Sequence, residues 1–301
     1  MVITITGALG LVGTNLINQF NQNAKVKKIY AIDLKKNNPE IKSKKIRYIY
    51  KSYTSERCLA VIKKSQIIVH LATKTNVLNS VENLKSEFKD YFEKTLKIYE
   101  IVPKNSIFIF SSTAGAIYGN TNKRSKESAN PKPISPYGVI KLCLEHLLIY
   151  YSKKNKFNYI ILRFSNVYGE NSYHKNNLIP NLFKSFMENK KMSFKKNRFI
   201  FRDYIYVGDL VKIINQLMIK KITNQIFNLC SGKMYNNNEI FKKIYKQFKS
   251  KPNIKIKKSN VFYEIQKSPL SNELIKKKLN IKKFTSLEKG ILKTKNWFEK
   301  I

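Results

Sequence analysis

Cysteine, histidine and long apolar runs are scarce in this sequence of 301 residues. The three cysteines, Cys58, Cys143 and Cys230, are widely spaced, which argues against a disulfide framework and against a cysteine-rich metal site. Three histidines without a pair at helical spacing argue against a histidine metal site as well. Because no run of about 18 apolar residues occurs, we expect no membrane span.

The start of the chain bears on where the protein is found. The first predicted strand follows Met1 directly, which leaves no room for a signal peptide. Together with the few, widely spaced cysteines, this leads us to expect a reducing, cytoplasmic location.

Acidic residues are few beside the basic ones. The sequence has 19 Asp and Glu against 58 Lys and Arg, which gives a formal net charge of +39. Such a charge suggests nucleic acid, an anionic membrane surface or phosphorylated substrates as partners. The lysines, however, are spread along the whole chain beside many Asn and Ile residues, as biased codon usage would produce, and no nucleic-acid-binding signature is present. We therefore do not expect nucleic-acid binding.

A glycine-rich turn lies within the first thirteen residues. The β-branched run Val2 to Thr6 predicts a buried strand, and the apolar periodicity after Gly10 predicts a helix. In a nucleotide-binding interpretation, Gly7 allows a sharp turn, Gly10 allows backbone N–H groups to approach a pyrophosphate, and Gly13 allows close packing of helix on strand. The helix N-terminus then presents its partial positive charge to the anion.

Asp33 supports the dinucleotide interpretation and bears on the choice of cofactor. It ends a second predicted strand, roughly 20 residues beyond the last glycine, where a carboxylate accepts the two hydroxyls of an adenosine ribose. A carboxylate at this place repels a 2′-phosphate, which favours NAD over NADP. Lys35 and Lys36 follow closely and could weaken that rejection.

Strands and helices alternate along the next part of the chain. The pattern predicts strands at 46–50, 67–71 and 106–110, with helices at about 56–63 and 84–101. This alternation predicts an α/β fold with a Rossmann-type, doubly wound parallel sheet and a smaller α/β C-terminal lobe that binds substrate. Ligands in such sheets bind at the carboxyl ends of the strands.

Two strand ends carry residues that suit a ligand. Leu71 and Ala72 follow one strand, and small residues there allow close approach by a cofactor, whereas His70 is interpreted as a packed strand residue rather than a metal ligand. Hydroxyl groups of Ser111, Ser112 and Thr113 crowd the end of the next strand.

A tyrosine and a lysine follow these hydroxyls. Tyr137 and Lys141 are four residues apart at the start of a predicted helix, so both side chains lie on one face of it. An ammonium at that distance stabilises a phenolate and lowers the pKa of the tyrosine, to which a positive nicotinamide ring would add. Tyr137 thus becomes a candidate general base near neutral pH.

Taken together, these motifs resemble those of the extended short-chain dehydrogenases/reductases in the NAD-dependent epimerase/dehydratase family, above all the nucleotide-sugar 4-epimerases. The resemblance covers essentially the whole chain. It rests on the following segments: Gly7 to Gly13 with Asp33, His70 to Thr73, Ser111 to Thr113 with Tyr118 and Gly119, Tyr137 with Lys141, Arg163 to Gly169, Asn176 to Pro180, Arg202 to Asp209, Phe227 to Gly232, and Trp297.

The resemblance assigns roles to residues of this sequence. Thr113 aligns with the catalytic Ser or Thr of the family, although the loop is one residue longer than usual and Ser112 stays an alternative. Asn166 aligns with the Asn that contacts the sugar nucleotide, or is simply a turn-forming Asn. Asn177 and Leu178 match the segment that touches the diphosphate and base. Arg202 matches the Arg that holds the diphosphate, or pairs locally with the next residue.

The motifs and the resemblance together predict three groups of site residues. The catalytic residues are Thr113, Tyr137 and Lys141, and no metal is expected. The substrate-binding residues are Ser112, Asn166, Asn177, Leu178 and Arg202. The NAD-binding residues are Gly7, Gly10, Leu11, Val12, Gly13, Asp33, Leu71, Ala72, Ser111, Tyr137 and Lys141.

The sequence departs from the family pattern at several places. Family members often carry an Asn near the nicotinamide, within Asn-x-x-Gly-Thr, where this chain has the stretch Asp90 to Thr95. The usual acidic residue after the third strand is absent from Lys51 to Tyr53. A late Arg that helps hold the diphosphate is not obvious, and Lys267 could replace it only as a point charge.

The resemblance also implies a domain arrangement and an assembly. We expect an NAD-binding domain over residues 1–169, rejoined by 203–231, and a substrate-binding lobe formed by 170–202 and 232–301. Family members are commonly dimers through a four-helix bundle, for which the helices near 84–101 and 137–153 are the candidates.

The predicted function is that of an NAD-dependent nucleotide-sugar epimerase, a 4-epimerase of a UDP-sugar that acts through a transient 4-keto intermediate and serves polysaccharide biosynthesis. A reductase of 4-keto sugar nucleotides is the alternative, because it uses the same Tyr and Lys. Dehydration is disfavoured, since Ala114 and Gly115 stand where dehydratases carry Asp-Glu. An inactive, epimerase-like protein that binds RNA is a further alternative suggested by the charge.

Overall fold

Short runs rich in β-branched and aromatic residues form the strands, because such side chains pack well on a pleated surface. The structure is a computed structural model that describes residues 1–36, 41–73, 77–195, 200–248, 251–257 and 265–301. Its strands are β1 (Val2–Thr6), β2 (Lys28–Asp33), β3 (Ile46–Tyr50), β4 (Ile67–His70), β5 (Ile107–Thr113), β6 (Asn158–Phe164), β7 (Asn166–Tyr168), β8 (Met192–Lys195), β9 (Phe201–Tyr206), β10 (Gln225–Leu229), β11 (Met234–Asn236) and β12 (Ile254–Lys257).

Seven strands form one parallel sheet in the order β10-β6-β5-β4-β1-β2-β3. Ile3 of β1 pairs with Ile29 of β2 on one side and with Ile67 of β4 on the other. The chain thus extends in both directions from β1, and the strand order reverses between β1 and β4. Ligands bind at such a switch point, beyond the carboxyl ends of the strands. The predicted Rossmann-type sheet is confirmed.

The helices connect the strands, and local sequence signals mark where some of them begin. At the N-terminus of the longest helix, for example, the Ser135 hydroxyl accepts a hydrogen bond from Gly138 N–H, and proline occupies the first turn. The helices are α1 (Leu11–Asn21), α2 (Glu56–Ile62), α3 (Val77–Glu82), α4 (Leu84–Glu87), a π-helical segment (Phe88–Glu93), α5 (Lys94–Tyr99), α6 (Ala114–Ile117), α7 (Pro136–Asn155), α8 (Leu178–Met187), α9 (Val207–Ile219), α10 (Asn237–Tyr245), α11 (Glu273–Leu279) and α12 (Leu287–Phe298).

Helices cover both faces of the large sheet, which explains why its strands are apolar on both sides. Leu16 of α1 and Ile214 of α9 belong to the core on one face, together with apolar residues of α8, α10 and α12. Ile98 of α5 and Leu144 of α7 belong to the core on the other face. Helix α7 is thereby fixed against β5, the strand whose end carries the hydroxyl groups.

Two smaller sheets lie beside the large one. Strand β9 lies between β7 and β11, and β12 pairs with β8. Residues 225–229 do join the large sheet, because β10 pairs with β6. The division into a domain of 1–169 with 203–231 and a lobe of 170–202 with 232–301 stays a prediction.

Two elements differ from the expected ones in ways that matter for the site. Strand β5 continues to Thr113 instead of ending at Phe110. The helix expected over 84–101 begins at Leu84 but contains the π-helical segment, and α5 ends at Tyr99. Among the described residues, no helix is both long and apolar enough to cross a membrane.

Candidate functional site

A cavity of about 680 Å³ lies beyond the carboxyl ends of β1, β4 and β5. Most of the predicted site residues line this one cavity. They are Gly7, Gly10, Leu11, Val12, Gly13, Leu71, Ser111, Ser112, Thr113, Tyr137, Lys141, Asn166, Asn177 and Arg202. The glycine turn, the hydroxyl-rich strand end and the polar residues of the later chain therefore face one space.

The glycine turn has the geometry that a pyrophosphate requires. Gly7 has a φ of +69°, and a Cβ there would lie 2.8 Å from the backbone nitrogen of Ala72. A Cβ on Gly13 would collide with the carbonyl oxygens of Gly7 and Ala8. Leu11, Val12 and Gly13 form the first turn of α1, whose backbone N–H groups have no acceptor within the helix. This wall of the cavity can therefore accept an anion.

Three predicted residues stand outside the cavity lining. The Asp33 carboxylate accepts hydrogen bonds from the backbone N–H of Leu9 at 2.9 Å and of Lys35 at 3.1 Å, which fixes it at the edge of the glycine turn. Ala72 packs against that turn, and its backbone N–H donates to the hydroxyl of Thr6 at the end of β1. Leu178 begins α8. Their contacts to cofactor or substrate stay predictions.

Lys141 is buried, with 1% of its surface exposed. Its Nζ donates hydrogen bonds to the Ser111 carbonyl oxygen at 2.7 Å and to the Tyr91 hydroxyl at 2.6 Å. It lies 4.9 Å from the centre of the Phe110 ring and 5.8 Å from that of Tyr137. The cation is therefore held by neutral acceptors close to the tyrosine ring.

The pKa values differ from the expectation for Tyr137. Burial raises the pKa of Tyr137 to about 12, so the predicted lowering by Lys141 is wrong for the protein chain by itself. The reason is geometric, because Nζ donates to Tyr91 and Ser111 instead of the Tyr137 hydroxyl. Burial also lowers the pKa of Lys141 to about 7, although the charge of Glu145 opposes this.

The two hydroxyl candidates at the end of β5 have different surroundings. Successive side chains of a strand point to opposite faces, and β5 includes both Ser112 and Thr113. The Ser112 hydroxyl donates to the buried carboxylate of Glu145. Thr113 is only partly buried, lines the cavity, and has no side-chain hydrogen bond to the described part of the chain. The geometry favours Thr113 as the hydroxyl that meets a substrate.

A buried ion pair between Arg163 and Glu145 contacts the end of β5 through the Ser112 hydroxyl. Arg163 Nη2 lies 2.7 Å from Glu145 Oε2, and Arg163 Nε donates to both carboxylate oxygens. Arg163 Nη1 donates to the Tyr118 hydroxyl at 2.7 Å, which in turn donates to Asn228. Burial opposes the charge of Arg163, but the bonds and attraction from Glu145 outweigh it and raise its pKa.

Three of the predicted substrate residues, Asn166, Asn177 and Arg202, come from later parts of the chain and also line the cavity. Asn166 Nδ2 donates to the Asp203 carbonyl oxygen at 3.1 Å. The Arg202 guanidinium donates to the carbonyl oxygens of Phe201 and Ile265. The Asp203 carboxylate accepts instead from the N–H groups of Ser231 and Gly232, at 2.8 and 2.7 Å. Arg202 thus faces the cavity while its neighbour in β9 faces the interior.

Sequence reasoning missed three residues of this site. Tyr91 was noted only as a departure from the family pattern, and its contact with Lys141 could not be inferred without the fold. Lys175 lines the cavity two residues before Asn177, and burial together with the nearby charge of Lys35 lowers its pKa. Glu145 continues the spacing of four from Lys141, which could have indicated a shared helix face.

Among the described residues, no histidine or cysteine lines the cavity. His70 is fully buried, and its Nδ1 lies 2.8 Å from the Thr6 hydroxyl. Burial and the charge of Lys141 lower the pKa of His70 to about 3, so the ring is neutral. Across the described ranges, no group of three or more His, Cys, Asp or Glu side chains could hold a metal ion.

Comparisons with known proteins identify relatives over the full length. A protein of Methanocaldococcus jannaschii, provisionally named UDP-glucose 4-epimerase, is 28% identical over 99% of this chain and 98% of its own. The GDP-6-deoxy-D-talose 4-dehydrogenase of Aggregatibacter actinomycetemcomitans is 30% identical over 80% of this chain and 78% of its own. The crystal structure of Thermotoga maritima UDP-glucose 4-epimerase with UDP-glucose is 27% identical, with a TM-score of 0.86 over 100% of this chain and 99% of that one.

The model of the NAD dependent epimerase/dehydratase family matches residues 3–230. This range includes the glycine turn, Thr113, Tyr137 and Lys141, and the family name agrees with NAD as the predicted cofactor. The chain belongs to the NAD-dependent epimerase/dehydratase family.

Proposed function

We propose that this protein is an NAD-dependent 4-epimerase of a UDP-sugar. The observation that carries the proposal is the single cavity in which the glycine turn, Thr113, Tyr137 and Lys141 meet a wall formed by Asn177 and Arg202. Two full-length relatives with 27 and 28% identity bear the name UDP-glucose 4-epimerase.

In this proposal the chain's residues move a proton and hold the oxygen that loses it. Tyr137, as phenolate, takes the proton of the sugar 4-hydroxyl, and Thr113 donates a hydrogen bond to the same oxygen. Burial disfavours this phenolate in the chain by itself, and the charge of a bound nicotinamide ring together with that of Lys141 would offset the effect. NAD held at the glycine turn would supply a reversible acceptor for the hydride of C4. Tyr137 then returns the proton to the 4-keto oxygen, so atoms and electrons balance without net oxidation.

The part of the cavity lined by Lys175, Asn177 and Arg202 suits a diphosphate with an attached sugar. Arg202 can bind phosphate oxygens through its planar guanidinium, and Lys175 adds a second positive group. Asn177 precedes α8, and its side chain makes no capping bond to the described helix, so it can turn to a ligand. We assign Asn166 to the sugar side, because it lines the cavity and aligns with the Asn that contacts the sugar nucleotide in the family.

Relatives include dehydratases and a 4-dehydrogenase, and the residues beside Thr113 distinguish between these reactions. Elimination of water needs an acid and a base beside the catalytic hydroxyl. Here Ala114 is fully buried, and a Cβ on Gly115 would meet only open space. These positions supply neither group, which favours epimerisation over dehydration.

The proposal is tested by incubating the purified protein with NAD and UDP-glucose and following UDP-galactose by chromatography. We expect interconversion of the two UDP-sugars without accumulation of NADH. The same assay with GDP- and dTDP-glucose serves as the control for the base. Turnover only with a 4-keto sugar nucleotide and a stoichiometric amount of reduced cofactor would show a reductase and contradict the proposal. An absence of turnover, together with RNA that co-purifies at high salt, would also contradict it and favour an RNA-binding protein.

We also propose a homodimer that forms through two helical faces. On α7, the exposed residues Val139, Cys143, His146 and Tyr150 follow one stripe, at spacings of four, three and four. The neighbouring helix exposes Leu84 and Phe88, the latter stacked on Phe92 with 4.4 Å between ring centres. Two such faces from each of two copies can form a four-helix bundle.

Replacing Val139 with glutamate should dissociate this dimer. Val139 is 53% exposed in the chain alone, so a charge there is harmless to the fold but costly in an apolar interface. Sedimentation should give twice the 35.3 kDa chain mass for the natural protein and one chain for the variant. Ile219→Glu, at an exposed apolar site on α9, should stay dimeric. A natural protein that sediments as a single chain at micromolar concentration would refute the dimer.

The proposed location is the cytoplasm. Cys58 and Cys230 are buried free thiols and Cys143 is an exposed one, which suits a reducing compartment.

A further inference from the structure

Lys141 has a partner that the family pattern does not supply. We propose that Tyr91 is a positioning residue, whose hydroxyl oxygen keeps Lys141 in its ammonium form and directs one remaining N–H toward the cavity. This inference rests on the proposed role of Lys141 and deepens it.

The geometry at Nζ leaves one proton for a ligand. An ammonium has three N–H groups, and two of them donate to Tyr91 at 2.6 Å and to the Ser111 carbonyl at 2.7 Å. Lys141 itself lines the cavity. With the other two protons committed, the third is left for a cofactor or substrate oxygen in the cavity.

Tyr91 is buried and packs beside the ring of His70. It lies in the π-helical segment, a form of helix that is frequent at functional sites. The Thr95 hydroxyl donates to the Tyr91 carbonyl oxygen at 2.7 Å. The Tyr91 ring is nearly parallel to that of His70, with 6.4 Å between their centres. The Tyr53 ring contacts His70 edge-on, with 5.1 Å between their centres.

Two departures from the family pattern are thus joined in space. Tyr53 stands after β3, where an acidic residue is usual, and Tyr91 stands where an Asn is usual. Both pack on the same neutral imidazole, which Thr6 and Thr95 hold from its two nitrogens. A larger residue at position 91 reaches Lys141 directly.

The charges around Lys141 make its ionisation sensitive to one acceptor. The titratable groups that face it are Tyr137 and Glu145 on α7, His70 on β4 and Tyr91 on the π-helical segment. Burial keeps the pKa of Tyr91 well above its ordinary value, so Tyr91 is a neutral acceptor. Burial lowers the pKa of Lys141 to about 7, near working pH. Loss of an acceptor disfavours the charged form and must lower that pKa further.

The experiment measures binding of NADH, by its fluorescence, to cofactor-free protein between pH 6 and 9. For the natural protein we expect affinity to fall as Lys141 loses its proton. In Tyr91→Phe the midpoint should move down by about one pH unit, the size expected for losing a hydrogen bond to a charged group. Tyr99→Phe removes a hydroxyl from an equally buried tyrosine that donates to the Leu144 carbonyl, and its midpoint should not move.

Lys141→Met provides the reference without the titrating group and should show no midpoint in this range. A Tyr91→Phe midpoint equal to that of the natural protein would overturn the proposal, and so would an equal shift in Tyr99→Phe. Because NADH binding needs no sugar nucleotide, the result stands even if UDP-glucose is not turned over. Where turnover is found, the alkaline side of the kcat profile should move in the same direction.

Discussion

Replacing Tyr137 with phenylalanine is expected to lower kcat for UDP-glucose epimerisation by about 10²- to 10⁴-fold, the usual contribution of a general base. The variant keeps the ring that packs beside Lys141 and loses only the oxygen that accepts the proton. The backbone N–H of Tyr137 still donates to the Ser80 hydroxyl at 3.1 Å, so the start of α7 stays in place. NADH affinity should fall much less than kcat, because Tyr137 is only one of the eleven residues predicted to bind NAD.

A matched control lies on the same helix. Tyr150 is 57% exposed on the outer face of α7, and Tyr150→Phe should leave kcat unchanged. Steady-state rates with UDP-glucose, together with NADH titration, separate loss of chemistry from loss of cofactor. If Tyr137→Phe retained more than a tenth of the natural kcat, another group would have to be the base, and the proposed mechanism would fail.

The cofactor side of the site could be predicted from sequence because its determinants are local. The glycine turn, the β-branched strand before it and Asp33 lie within the first 33 residues, and each has one main physical requirement. Gly7 needs a positive φ, and Gly13 must leave room for two carbonyl groups. The alternation of strands and helices then predicted a parallel sheet with helices on both faces, but not the order of its strands.

The other half of the site depends on details that periodicity does not contain. The choice between Ser112 and Thr113 required the exact end of β5, because one residue changes the face that a side chain takes. The partner of Lys141 required the register of the π-helical segment, where Tyr91 points inward. Arg163 and Glu145 are 18 residues apart and meet only because β6 and α7 pack together.

Helix α7 contributes to both halves of the site, because its inner face carries three functional side chains at intervals of about one turn. Tyr137 offers a phenol, Lys141 a cation and Glu145 a carboxylate, at spacings of four residues. Glu145 raises the pKa of Lys141 against the effect of burial. The same carboxylate accepts a hydrogen bond from the Ser112 hydroxyl and pairs with Arg163. Glu145 therefore affects both the charge of Lys141 and the position of the β5 end that carries Thr113.

Glu145→Gln is therefore expected to lower the free energy of unfolding by about 3 to 5 kcal/mol, the typical cost of breaking one side of a buried ion pair. Glu145 is 2% exposed and Arg163 3%, so water cannot replace the lost charge. The measurement is urea unfolding followed by circular dichroism, with the slope compared between variants. The variant should also lose NADH affinity at lower pH, because Lys141 loses the carboxylate that favours its charged form.

An exposed ion pair supplies the control for this prediction. Lys126 and Glu273 lie 3.7 Å apart with 67% and 75% of their side chains exposed, so Glu273→Gln should cost less than about 1 kcal/mol. Replacing both Glu145 and Arg163 with methionine should recover part of the loss, since an apolar pair leaves no buried charge. An unfolding midpoint of Glu145→Gln equal to that of Glu273→Gln would mean that the buried pair does not support the strand end. Thr113 would then owe its position to the backbone pairing of β5 with β6 alone.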